Sequence, residues 1–194
     1  MQIRTAAALA ATVVAAPLAM GGVFFDEDVD GDLSNDRFNP TVFNLGAGAS
    51  SFIMDVIDSD QPQGDLDYFT VVIGDGLSID SIVLAESFNP GGGFDNVAFI
   101  ALQIGPIVTV DPASPNPAPL AGFVIGSPNL IGTNILPTLA GDFGPTLGSG
   151  EYAFWVQQTG ESLTRLRLDF NVVPAPGAMA VLGLAGLAGV RRRR

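Results

Sequence analysis

The sequence predicts an all-β protein, in which residues 23–173 form a single antiparallel β-sandwich of jelly-roll type between two apolar terminal segments. Turn-forming residues are frequent, since 24 glycines and 14 prolines occur among the 194 residues. Apolar runs of about four to eight residues recur between these turn signals, and no segment of the domain keeps the period of an amphipathic helix. Many short strands at this spacing are typical of proteins built from two packed sheets.

Seven strands are predicted from this pattern. The clearest is the last one, where Leu166, Leu168, Phe170 and Val172 alternate with polar side chains. Strict alternation places one face against a core and the other in water. The predicted strands are Ser51–Ile57, Tyr68–Ile73, Ser81–Ala85, Val97–Ile104, Gly122–Ile125, Tyr152–Gln157 and Leu163–Val172.

The segment from residue 105 to 150 does not fit a regular strand pattern. It holds eight of the 14 prolines, and proline cannot donate a hydrogen bond to a strand ladder. We therefore expect a long surface loop or a polyproline-like crossover that contains one or two edge strands.

The N-terminal 22 residues have the layout of a secretory signal peptide that forms a helix. Arg4 gives a minimal basic start, residues 6–19 form an apolar and alanine-rich run, and small residues follow it. Cleavage after Gly21 fits the small residues at this point. We therefore expect the Sec-type export machinery to be a partner of the chain.

The C-terminal end has three parts in a fixed order. An apolar run of 14 residues spans 177–190, and as a helix it would reach about 21 Å, against a bilayer core of about 30 Å. Basic residues after an apolar helix stay on the cytoplasmic side. The short motif before the run is Val173, Pro174, Ala175, Pro176 and Gly177, and the membrane stop after it is Arg191, Arg192, Arg193 and Arg194.

These C-terminal residues resemble the PEP-CTERM sorting domain of exported bacterial proteins, although Ala175 stands where that family usually has glutamate. The resemblance implies that an exosortase-like sorting enzyme recognises the tail at the membrane. It also implies passage through an inner-membrane intermediate to the cell surface or the extracellular matrix.

The composition of the domain excludes several classes of function. Its 20 acidic residues are opposed only by Arg37, Arg165 and Arg167, so the domain repels nucleic acids. The chain has no histidine, cysteine or lysine, which excludes a Ser-His-Asp triad, a thiol nucleophile and a lysine Schiff base. We therefore expect a protein that is not an enzyme.

An acidic run near the start of the domain suggests a calcium site. Residues 26–37 match the first half of an EF-hand loop, but Arg37 stands where that loop needs a bidentate carboxylate. A looser calcium site is predicted instead from two loops that meet at one end of the sandwich. Its ligands would be Asp30, Asp32, Asp65 and Asp67. The alternative is a solvated cluster of acidic turns without an ion.

Residues 29–34, 64–69 and 149–154 together resemble the pre-peptidase C-terminal type of domain. In that family an Asp-Tyr-Phe strand and a Gly-x-Tyr strand lie in a β-sandwich. The resemblance implies a non-catalytic accessory or binding fold.

Trp155 is the single tryptophan and lies on the opposite face of its strand from Tyr152, Phe154 and Val156. It would either stack on a sugar or pack beneath a covering loop. The expected function is thus that of an exported, non-enzymatic surface or matrix protein. The alternative is a carbohydrate-binding module, with calcium ordering its loops and extracellular polysaccharide as its partner.

Overall fold

The computed structural model describes residues 22–56, 65–88, 98–158, 163–175 and 177. These residues form a mostly β structure of nine strands, two short α-helices and two short 3-10 helices. The strands are β1 Gly22–Asp26, β2 Thr41–Leu45, β3 Gly48–Val56, β4 Leu66–Ile73, β5 Leu77–Phe88, β6 Ala98–Ile104, β7 Gly122–Gly126, β8 Gly150–Gln158 and β9 Thr164–Pro174. The helices are α1 Glu27–Asp30 and α2 Leu136–Ala140, with 3-10 turns at Pro128–Leu130 and Gly141–Phe143.

The strands form two sheets. The first has the order β1-β3-β9-β5, and the second has the order β2-β4-β8-β6-β7. Most neighbours are antiparallel, but β1 runs parallel to β3 and β2 runs parallel to β4. The chain alternates between the sheets here, so a strand of the other sheet lies within each connection and the next strand can return in the same direction. The prediction of a wholly antiparallel arrangement is therefore wrong at these two edge pairs.

All seven predicted strands are present, with ends that differ by a few residues. The sequence interpretation missed β1 and β2, which are short and lie close to acidic or polar segments. The last strand ends at Pro174, opposite Leu77, and the Ala175 amide donates a hydrogen bond to the Gly76 carbonyl at 2.7 Å. Proline is tolerated at this point because the strand ends there.

The main core lies between the two sheets. Phe52 of the first sheet is stacked on Phe69 of the second, with ring centroids 5.7 Å apart, and Phe154 meets Phe170 at 5.5 Å. All four of these side chains are fully buried. Alternation along β8 and β9 thus places one face of each strand in a shared apolar layer, as the pattern predicted.

A smaller apolar cluster lies on the outer face of the second sheet, beneath residues 106–121. Tyr68 and Trp155 from the sheet pack there with Val108 and Val110 from the covering segment. The Thr70 hydroxyl donates to the Pro106 carbonyl at 2.7 Å and holds the segment down. Residues 106–121 form an irregular loop and β7 follows as an edge strand, as expected for this segment. The rest of the 105–150 segment holds α2 and the two 3-10 turns, which the sequence pattern did not predict.

The signal peptide predicted at residues 1–22 and the apolar helix and arginines predicted at the C-terminal end lie almost wholly outside the described residues. Among the described residues, no helix is both long enough and apolar enough to cross a bilayer.

Candidate metal centre and neighbouring cleft

Three carboxylates converge at one end of the two sheets. One oxygen from each of Glu27, Asp32 and Asp67 lies within 4.8 Å of the others. Glu27 is half-buried, Asp32 is exposed and Asp67 is buried. The cluster therefore extends from a buried carboxylate to an exposed one.

Local hydrogen bonds set the backbone that carries Glu27 and Asp32. The side chain of Asp26 caps α1 by accepting from the Asp28 amide at 3.2 Å. The helix ends at Asp30 and is followed by Gly31, whose φ of 94° lies in the region that favours glycine. The turn thus allows Glu27 and Asp32, which are five residues apart in sequence, to lie in the same cluster.

The segment after this turn pairs with the start of β4. The Tyr68 amide donates to the Ser34 carbonyl at 2.9 Å, and the Leu66 amide donates to Asn35 Oδ1 at 3.0 Å. These two bonds bring Asp32 next to Asp67, although the two residues are far apart in sequence.

Glu27 links this turn to the first sheet. Its Oε1 accepts a hydrogen bond from the Leu33 amide at 3.2 Å, and its Oε2 accepts one from the Asp55 amide of β3. Burial nevertheless raises the pKa of Glu27 to about 7, because desolvation outweighs both hydrogen bonds. Each oxygen keeps a second lone pair that can face a cation.

Asp67 is the most unusual residue of the cluster. It is fully buried in β4, and neither carboxylate oxygen has a hydrogen-bond partner among the described residues. Burial raises its pKa to about 9, and the negative charges of Glu27, Asp65 and Asp32 add to the shift. A buried carboxylate without a partner is strongly unfavourable, unless it is protonated or coordinates a cation.

Arg165 forms salt bridges with other carboxylates of this end of the sheets. Arg165 Nη1 lies 2.6 Å from Asp55 and 2.8 Å from Asp28, and its Nη2 lies 3.6 Å from Asp26. Among the described residues, no salt bridge reaches Glu27, Asp32 or Asp67. The donor set is made of oxygen only, which suits a hard cation such as Ca²⁺.

Two of the four predicted calcium ligands, Asp32 and Asp67, meet in this cluster. Asp30 is directed elsewhere, since its Oδ2 accepts a hydrogen bond from the Asp26 amide at 2.9 Å. Asp65 is close enough to raise the pKa of Asp67, but its carboxylate is not in the group of three. The sequence interpretation missed Glu27, although it lies in the same acidic run.

Trp155 lies away from this cluster, on the outer face of the second sheet. It is 4% exposed, its ring meets Phe99 edge-on at 4.8 Å, and it is stacked with Tyr68 at 6.1 Å. Trp155 is therefore packed beneath a covering loop, residues 106–121, which is the second of the two surroundings predicted for it. A cleft of about 390 Å³ opens beside it.

The sorting motif is described only in part. Val173 and Pro174 close β9, Ala175 follows them, and Gly177 is exposed. Pro176 and the four terminal arginines lie outside the described residues.

No protein-family model matches the chain, and neither a curated protein nor a solved structure matches it.

Proposed function

We propose that this chain is an exported, non-enzymatic protein of the cell surface or extracellular matrix, built on one jelly-roll-like β-sandwich that bound calcium stabilises. The N-terminal segment would direct export, and the C-terminal segment would deliver the protein to an exosortase-like enzyme. The lack of histidine, cysteine and lysine supports a role without catalysis. The resemblance to pre-peptidase C-terminal domains points to the same accessory role.

The observation that carries the calcium proposal is the state of Asp67. Its two buried oxygens have no partner among the described residues, and Glu27 and Asp32 each direct an oxygen to the same place. One divalent cation would compensate this negative charge and use those lone pairs. Calcium takes six to eight oxygen ligands, so backbone carbonyls and water would complete the shell. Extracellular modules bind calcium at about 0.1 to 1 mM, which fits an exported protein.

Calcium titration of the full chain tests this proposal. A ligand that binds only the native state stabilises it by about 2.7 kcal/mol at a concentration of 100 times its Kd. We therefore expect added Ca²⁺ to raise the melting temperature of the wild-type chain and to give a saturable signal in calorimetry. Asp67→Asn should remove both effects.

The matched control is Asp80→Asn, which removes an exposed carboxylate from β5 at the level of Asn171, whereas the cluster lies at the Arg165 end of β9. It should keep the full calcium response. An unchanged melting temperature of the wild-type chain at millimolar calcium would refute the metal centre.

The sorting proposal has a separate test. Intact-mass analysis of the protein from its native cell surface should show the loss of the first 21 or 22 residues and of the segment beyond the Pro174–Pro176 motif. A full-length mass in the cytosolic fraction would contradict export.

A second candidate function is a saccharide-binding module on the outer face of the second sheet. The cleft beside Trp155 favours it, because aromatic and proline side chains form its walls. Polysaccharide pull-down with wild type and Trp155→Phe tests this candidate. The phenylalanine keeps an aromatic side chain in the buried site but removes the indole N–H group.

A further inference from the structure

The cleft beside Trp155 is mainly apolar. Its sheet side is formed by Phe99, Phe123 and Trp155, and its loop side by Val110 and Leu120. Pro112, Pro115 and Pro117 and the side chain of Gln157 complete the lining. A volume of about 390 Å³ lies within the range of small-molecule sites, which are usually apolar with a few polar groups.

A second, polar hollow adjoins this cleft. It has a volume of about 210 Å³, and its polar lining includes Asn35, Asp36, Arg37 and Asp111. The two spaces share Pro112 as a wall. Tyr68 of the polar hollow and Trp155 of the apolar cleft are also register partners on neighbouring strands. The outer face of the second sheet therefore has one apolar and one polar space side by side.

The polar hollow contains both charge signs. Arg37 donates to the Thr109 carbonyl at 2.9 Å and lies 4.5 Å above the Phe38 ring, and within the described residues it forms no salt bridge. Asp36 and Asp111 supply acceptors beside it. A mixture of donors and acceptors suits hydroxyl groups, which both donate and accept.

Two buried polar atoms lie beneath the same covering loop. Tyr68 Oη and Trp155 Nε1 have no hydrogen-bond partner among the described residues. Buried polar groups are usually paired, so each of these atoms has unused hydrogen-bonding capacity. The side chains that carry these atoms line the two spaces, Trp155 the apolar cleft and Tyr68 the polar hollow.

We propose that this pair of hollows binds an uncharged saccharide that carries an apolar substituent, such as an acyl or aryl group. The substituent would occupy the cleft beside Trp155, and the sugar hydroxyls would face Arg37 and the carboxylates. Anionic sugars are disfavoured by the excess of acidic residues in the domain. The inference rests on the saccharide-binding candidate and is independent of the calcium centre.

The single tryptophan makes the cleft directly observable, since all tryptophan fluorescence comes from Trp155. The probes are n-octyl-β-D-glucoside below its micelle concentration, glucose as the matched polar half, and 1-octanol as the matched apolar half. We expect octyl glucoside to shift the emission saturably, at a concentration about tenfold or more below that of either half.

Variants separate the two spaces. Phe123→Asp places a charge in the apolar cleft and should weaken octyl glucoside binding by about tenfold or more. Ile125→Asp is the control, because Ile125 is similarly exposed on the same face of β7 but does not line the cleft. It should bind within about twofold of wild type. Arg37→Gln should weaken octyl glucoside severalfold and leave 1-octanol binding unchanged.

The inference fails if 1-octanol binds as tightly as octyl glucoside, if Phe123→Asp binds like wild type, or if no probe changes the emission. If the chain binds plain saccharides and does not prefer octyl glucoside, the saccharide-binding function stands, but the proposed preference for an apolar substituent is wrong.

Discussion

Asp67 and Tyr68 are neighbours on β4, and their side chains lie in two different environments on opposite faces of the sheet. Both side chains are buried, and both have polar atoms without partners among the described residues. Asp67 faces the end of the space between the sheets, whereas Tyr68 packs in the outer cluster under the proline-rich loop. Alternation along the strand separates them.

The two burials differ in their electrostatic consequence. Burial raises the pKa of Tyr68 to about 12, so the phenol simply stays neutral at physiological pH. Burial raises the pKa of Asp67 to about 9, so near neutral pH this carboxylate must either hold a proton or face a cation. Burial of a neutral hydroxyl without a partner thus costs little stability, whereas a buried carboxylate without a partner needs a bound cation or a proton.

The largest expected effect is on the pH dependence of the calcium-free protein. Glu27 and Asp67 have folded-state pKa values of about 7 and about 9, both above their ordinary values. The folded state then binds more protons than the unfolded state, so stability is full at low pH and falls as pH rises through these values. Each group loses about 1.4 kcal/mol per pH unit between its ordinary and its folded-state pKa, so in chelator the free energy of unfolding should decrease by several kcal/mol from pH 5 to pH 8.

Saturating calcium should cancel this loss, because the ion binds the deprotonated carboxylates. Urea titrations at the two pH values, with and without calcium, measure both effects. Equal stability at pH 5 and pH 8 in chelator would show that the buried carboxylates are compensated by other means.

Glu27→Gln should have an intermediate effect. The amide oxygen can still accept one of the two backbone hydrogen bonds, but the charge that faces the cation is lost. We expect calcium affinity to fall by about tenfold or more, which is about 1.4 kcal/mol. Calorimetry with Asp30→Asn as the comparison checks this, since Asp30 bonds to the Asp26 amide and should contribute little to affinity.

Tyr68→Phe should have the smallest effect. It removes a buried hydroxyl that has no partner among the described residues, so stability should stay within about 1 kcal/mol of wild type or rise slightly. The calcium response should be unchanged. A loss of several kcal/mol in the free energy of unfolding would show that the Tyr68 hydroxyl makes a stabilising hydrogen bond.

Much of the fold was predictable from local pattern. In β9, Leu166, Leu168, Phe170 and Val172 alternate with polar residues, and all four are buried. The β1 strand was less evident, because only Phe25 of its five residues is buried. Its parallel pairing with β3 depends on the path of the chain through the other sheet, which no local pattern records.

The candidate site was only half predictable, for a similar reason. Spacing alone made Asp30 resemble a ligand, whereas the cap at Asp26 and the turn at Gly31 place Glu27 in the cluster instead. The burial of Asp67 depends on the position of β4 between β2 and β8. That neighbourhood is set by long-range pairing.

The β9 strand runs from the acidic end of the two sheets to their opposite end. Arg165, near its start, holds the acidic end that contains Glu27, while Pro174 and the bond from Ala175 to Gly76 mark the other end. About nine residues of strand separate them, or roughly 30 Å. The chain thus leaves the domain at the pole opposite the carboxylates. If the proposed attachment of the C-terminal segment to a lipid surface holds, the end of the sheets that carries Glu27, Asp32 and Asp67 would point away from that surface.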